Sequence, residues 1–152
     1  MTKFNLTGSD VLVINSKPIQ NDFGEGDYAT VEFSGDLVTI ATGKNQNTIY
    51  ALDESGNNFE MTLNVLRGSD SDKYLNGLLY KQQQDFVATT LMTGSITKRL
   101  GDGYGKVTFD TYSLRGMVIS KVPGTKGNAN GDTDQGKTQY TFKGALAVRG
   151  IL

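Results

Sequence analysis

The sequence predicts a mainly β chain, a barrel or sandwich, with one amphipathic α-helix packed against it. Three observations carry this reading. Gly accounts for 19 of 152 residues and Pro for only 2, a usage that suits tight turns and short strands rather than long helices. Phe59, Met61, Leu63 and Val65 alternate with Glu60, Thr62 and Asn64, the period-2 pattern of a strand with one buried face. Directly behind that strand the period changes. Ser69-Asp70-Ser71-Asp72 offers a helix cap and first-turn acids, and Tyr74, Leu75, Leu78 and Leu79 fall on one helical face. A hydrophobic share of 37% over 152 residues supports a single core, so the whole of 1–152 is read as one domain.

In chain order, Val11 to Ile14 is a short apolar strand bracketed by turn residues. Ile19 to Asp27 is a polar connection ending in Phe23-Gly24-Glu25-Gly26-Asp27. Tyr28 to Phe33 alternates as a strand, Ser34-Gly35-Asp36 has turn chemistry, and Leu37 to Ala41 resumes an apolar strand. These two strands are predicted to form a hairpin. Thr42 to Asn47 reads as a loop, Thr48 to Leu52 as a short strand and Asp53 to Asn58 as a turn. The helix starts at the Ser69 cap and ends near Gln82-Gln83-Gln84, weakened by about 1 kcal/mol at Gly77 relative to Ala. Phe86 to Thr93 is predicted as a strand followed by a Thr93-Gly94-Ser95 turn. Gly101 to Gly105 is a further turn, and Lys106 to Ser113 and Met117 to Val122 are strands. Pro123 to Gly136 is a turn-forming tract, and Gln139 to Ile151 a long strand holding Tyr140, Phe142, Leu146 and Val148 in register.

Composition excludes several chemistries. There is no His and no Cys, which removes Ser-His-Asp and Cys-His catalysis, imidazole or thiolate zinc sites and disulfides. A net charge of −1 provides no basic field to gather nucleic acid. Met1 to Asp10 is too polar for a signal-peptide core, and no run approaches the roughly 18 apolar residues of a spanning helix; synthesis in a cytoplasm and no membrane partner are the expectation. Gly101-Asp102-Gly103-Tyr104-Gly105 looks like a phosphate loop, but a strand follows it instead of a helix. Asn128, Asn130, Asp132 and Asp134 alternate as calcium ligands can, without the spacing or distal Glu of a known calcium loop, and read as a solvated loop. No cofactor and no metal are expected.

Several segments taken together resemble the tail tube proteins of contractile-tailed phages and related tailocin or prophage particles. They are Asp10-Val11-Leu12-Val13-Ile14-Asn15, the Phe23-to-Asp27 turn, the strand Asn58 to Leu66, the helix segment Ser69 to Leu79 that follows at once, and the closing strand Gln139 to Arg149. The resemblance covers nearly the whole chain, and the junction from strand through polar cap to helix is its most specific part. It implies a β-barrel or sandwich with one helix, as in the tube subunit of type VI secretion systems. It also implies hexameric rings stacked into a hollow tube that conducts DNA. A tube of that kind is passive, so no active site carries over. The implied partners are copies of the chain itself, together with sheath, baseplate and tail terminator proteins, and the implied location is the virion tail.

Within that frame, a lumen rich in Lys or Arg would hold DNA by counterion release, whereas a near-neutral or acidic lining lets it slide. Glu60, Thr62, Asn64, Thr108 and Asp110 lie on polar strand faces and are candidates for the lining; the alternative is that those faces meet bulk solvent. Axial contacts between rings are expected in three connections: Asn15 to Asp27 with Asp22, Glu25 and Asp27; Thr42 to Asn58 with Asn45 and Asn47; and Pro123 to Gly136 with Asn128 and Asp132. Two other functions remain open from the residues alone. One is a carbohydrate-binding β-sandwich, for which Trp is absent although Tyr50, Tyr104 and Tyr112 are present. The other is a small barrel enzyme using carboxylates such as Glu25, Asp27, Asp53 and Glu54.

Overall fold

The structure, a computed structural model, describes residues 6, 11–19, 29–124, 127, 129 and 133–151. Asp22, Glu25, Asp27, Asn128 and Asp132 lie outside the described residues. The described elements are β1 (Val11–Ile14), β2 (Lys17–Pro18), β3 (Ala29–Phe33), β4 (Val38–Thr42), β5 (Thr48–Leu52), β6 (Phe59–Leu66), α1 (Asp70–Gln84), β7 (Met92–Gly101), β8 (Val107–Lys121), β9 (Lys137–Gly144) and β10 (Leu146–Ile151). Eight strands form one antiparallel sheet in the order β2-β1-β7-β8-β9-β6-β3, with β10 also paired to β8. β4 and β5 pair with each other as a separate two-stranded ribbon.

β8 turns the corner of this sheet. Its first part pairs with β7 and β10, and its last part, from Val118, pairs with β9. Gly116 at the bend has φ +66°, a conformation that L side chains rarely adopt. The bend flips the alternation by one residue, so Leu114 and Met117 are both buried. The β9–β10 line bends opposite it at Gly144–Ala145, and there Phe142 and Ala147 are both buried. Because the two bends face each other, register carries through: Arg115 pairs Leu146 on one side and Val118 pairs Lys143 on the other. A strand that passes from one part of a sheet to another through such a bend makes the corner of a barrel-like sandwich. Gly144 is fixed by packing, since a Cβ there would strike the ring of Phe59.

α1 begins where the sequence places it. The Ser69 side chain accepts from the Asp72 N–H at 3.2 Å, and the Asp72 carboxylate returns the contact by accepting the Gly68 N–H at 2.8 Å, a close variant of the capping box. That carboxylate also accepts from the Tyr140 hydroxyl at 2.7 Å and the Thr138 hydroxyl at 3.4 Å, tying the helix start to β9. Burial, followed by the hydrogen bond and charge of Asp72, pushes the Tyr140 phenol well above its ordinary range. The buried line of α1 is Ser71, Leu75, Leu79 and Gln82, flanked by half-buried Tyr74 and Leu78. It shares one core with Leu12 and Ile14 of β1, Met61, Leu63 and Val65 of β6, Leu114, Met117 and Ile119 of β8, and Tyr140 and Phe142 of β9.

Gln82 does more than fill space. Its Nε2 donates to the Ile119 carbonyl at 2.8 Å and its Oε1 accepts the Ile119 N–H at 3.0 Å. β7 stops pairing with β8 at Met117. Beyond the corner, a side-chain amide of the helix takes the place of the missing strand, so both buried backbone groups are satisfied.

Four sequence expectations are corrected. β3 and β4 do not form a hairpin: β3 pairs with β6, and β4 with β5, because the chain between them leaves the sheet as a ribbon and returns. Phe86 to Thr93 is not a strand. β7 starts at Met92, the intended Thr93-Gly94-Ser95 turn lies inside it, and Phe86 and Val87 stand in solvent. Lys106 to Ser113 and Met117 to Val122 are one continuous strand, β8, bent at Gly116. Gln139 to Ile151 is split into β9 and β10, and the bend leaves Val148 exposed and Ala147 buried.

Candidate functional site

The β4–β5 ribbon is an arm. It is inserted between β3 and β6, whose ends are joined by the Ser34 N–H donating to the Asn58 carbonyl at 3.1 Å. Its root is closed by the Asp53 N–H donating to the Leu37 carbonyl at 2.7 Å. Gly56 packs there so closely on the Asp36 backbone that a Cβ would lie 2.8 Å from the carbonyl oxygen. At the far end Gly43 N–H bonds the Asn47 carbonyl at 2.7 Å, and Asn45 sits at φ +67°. Asn45 and Asn47, expected in a loop, therefore form the tip of this arm.

Cross-strand register decides the character of the arm. Val38 is opposite Leu52 and Ile40 opposite Tyr50, so these four share one face. Thr39 with Ala51 and Ala41 with Ile49 form the other. The apolar face is open: Ile40 is 62% exposed, Tyr50 70% and Leu52 66%. Lys44 is the one charged residue between Leu37 and Leu52. A low-charge β ribbon with bare apolar side chains and unpaired edges is a template for another chain, and two strands alone are marginal in water.

The polar face of the main sheet is the second feature. Glu60, Thr62 and Asn64 point away from the core on β6, in register with Lys143, Thr141 and Gln139 of β9 and, for the first two, with Glu32 and Thr30 of β3. Acid and base thus stand side by side there at Glu60 and Lys143. Thr108 and Asp110 are not brought to this face. They alternate in phase with Tyr112 and Leu114, on the core side of β8 beyond the end of the core. Arg149 of β10 grips Asp110 with Nε and Nη2, both at 2.9 Å, and its guanidinium lies over the Tyr112 ring at 5.8 Å. That bidentate hydrogen bond, against a smaller opposing effect of burial, holds the Asp110 carboxyl below its ordinary range.

The third feature is the segment after α1. Phe86 is 63% exposed, Val87 96% and Leu91 56%. Beside them is a cavity of about 340 Å³ with a mostly polar lining, Asn15, Lys81, Gln82, Asp85, Thr89 and Thr90, and an apolar part made by Leu78, Ala88 and Met92. Sequence reasoning missed this knuckle because an apolar run reads as a strand.

Among the described residues no group of three or more Asp and Glu could hold a metal ion, and no helix is long and apolar enough to cross a membrane. Tyr50, Tyr104 and Tyr112 stand on the arm, on the β7–β8 turn and on the core side of β8, three different elements.

No protein-family description matches the sequence, and no curated protein does. The fold does have relatives. A chain of the sheath-tube complex of PVC, an extracellular contractile injection system, in its extended state superposes with a TM-score of 0.61 at 9% identity, over 94% of this chain and 88% of that one. A chain of the tube-terminating cap of the anti-feeding prophage gives 0.63 at 7% identity, over 99% and 93%. A chain from the PVC sheath/tube terminator gives 0.59 at 10%, over 97% and 98%. The chain has the tail-tube fold. At these identities the likeness is one of architecture, and it extends over nearly the whole chain.

Proposed function

We propose that this chain is a structural subunit of a phage-type tail inner tube. In this reading it forms hexameric rings, and the rings stack around a channel through which DNA passes. It is a passive conduit, not an enzyme, and works in a tail particle alongside sheath, baseplate and terminator proteins. The observation that carries the reading is the arm, whose apolar face is exposed and has no cover among the described residues. Covering a Val, Leu or Ile side chain fully gains about 1.5–3 kcal/mol, so each arm offers several kcal/mol to a neighbour. A contact between two different patches closes into a ring or propagates as a filament, according to its rotation.

The lining follows from the same arrangement. The face carrying Glu60, Thr62 and Asn64 faces the channel in this reading. Its mixture of Thr, Asn, Gln and opposed Glu and Lys gives DNA no run of cations to bind. Thr108 and Asp110 belong to the opposite side of the sheet. The arm, and the Pro123-to-Gly136 connection, reach neighbouring copies.

Replacing Ile40 by Asp tests this. The side chain is exposed, so the variant should fold and melt like the parent. Light scattering against concentration should show assembly by the parent and its loss in the variant. Unchanged assembly by Ile40→Asp, or a parent that stays monomeric at every concentration and salt, would sink the proposal.

A further inference from the structure

We infer that the knuckle after α1 is the receptor for the arm of a second copy, with Tyr50 seated in the cavity between α1 and the start of β7. This rests on the tube reading and names the contact that builds it. Among the open apolar surfaces of the described residues, two are joined here. Among the described residues the arm of Val38, Ile40, Tyr50 and Leu52 has no strand partner outside the ribbon, and Phe86, Val87 and Leu91 are exposed at the knuckle. The chain's own arm therefore does not cover its own knuckle, while another chain's arm can. The two surfaces differ in shape: one is a flat ribbon, the other a projecting turn beside a hole. Such a pair is heterologous, the type of contact that rings and filaments require, whereas arm on arm would close a two-fold dimer.

The cavity suits a phenol. Leu78, Met92 and Ala88 offer an apolar wall, and the rest of the lining, Asn15, Lys81, Gln82, Asp85, Thr89 and Thr90, is polar and can meet a hydroxyl. A tyrosine presents that combination, an apolar ring with one polar end. The ribbon's apolar face carries no charge of its own, because Lys44 lies in the turn at the arm's tip, so among the described residues the only ions at the contact are Lys81 and Asp85 of the cavity lining, which the phenol hydroxyl can meet.

The chain has no cysteine, which makes cross-linking clean. Ile40→Cys and Val87→Cys are made separately, mixed under assembly conditions and treated with a short bis-maleimide. A cross-linked dimer is expected in the mixture and not in either variant alone, and a ladder is expected when both substitutions share one chain. Val87→Asp should raise the concentration needed for assembly about tenfold or more, without moving the monomer's melting temperature. If tubes form but the mixture gives no more product than the single variants, or Ile40→Cys links to itself, the arm lands elsewhere and this inference falls while the tube reading stands. If neither variant nor parent assembles under any condition, the tube reading falls and takes the inference with it.

Discussion

Replacing Gln82 by Met keeps the length and flexibility of the side chain and removes its two hydrogen bonds to Ile119. Those bonds are 2.8 and 3.0 Å long, and Ile119 is 3% exposed, so neither freed backbone group can turn to water. An orphaned buried donor or acceptor costs about 1–3 kcal/mol, so the two together, after a small gain from the apolar thioether, cost about 2–5 kcal/mol. For a chain near 150 residues, 1 kcal/mol moves the midpoint by roughly 2–4 °C, so a fall of about 4–20 °C is expected in calorimetry. Urea titration should show the midpoint falling with its slope unchanged. Gln83→Met, one residue on and exposed, is the control and should stay within about 0.5 kcal/mol. Gln82→Glu adds a pH signature. Its carboxyl would face the Ile119 carbonyl from a buried position, raising its folded pKa above the unfolded value. The variant should then be most stable below about pH 4.3 and lose stability as pH rises through the raised folded pKa. A Gln82→Met variant as stable as the parent would refute the role of this amide as a substitute strand.

Three further outcomes follow from the fold. Gly144→Ala should destabilise strongly, by several kcal/mol on the scale of core overpacking, and Phe59→Leu should restore part of the loss in the double variant. Ultraviolet titration should show the Tyr140 phenol staying protonated well above the ordinary phenol range. The stability held by its raised pKa is complete below about pH 10, is lost above it, and should disappear in Tyr140→Phe. Carbon-13 NMR should find the Asp110 carboxyl titrating below the usual carboxylate range, and Arg149→Ala should return it toward that range.

How legible the molecule is in its sequence varied by element, for physical reasons. β6 and α1 are readable because each buries one continuous face, and a buried face writes its period into the chain. The Ser69 cap is readable because only a few side chains can serve there. Gln82 is harder, since three consecutive Gln look like solvent. The signal is its spacing, seven residues after Leu75 and three after Leu79, on the buried line. The arm is not readable as an arm. Val38, Ile40, Tyr50 and Leu52 have the pattern of a strand with a core face, and the described residues supply no core for it; in the proposed tube a neighbouring molecule would. The same holds for Phe86 to Leu91, whose apolar run implies burial that the single chain does not supply. The bend at Gly144 and Ala145 hides inside a long apolar alternation because glycine and alanine interrupt it so little. Of the polar face, the Glu60, Thr62 and Asn64 alternation is plain. That Thr108 and Asp110 lie on the other side depends on the bend at Gly116, which no periodicity reveals.

The central claim is that copies of this chain stack into a hollow tube, and electron microscopy of the purified protein above its assembly threshold tests it most directly. The account predicts long, straight particles of constant width, whose end-on views average to a sixfold ring with an open centre. Monodisperse monomers at every concentration, or particles with no open centre and no sixfold symmetry, would contradict it.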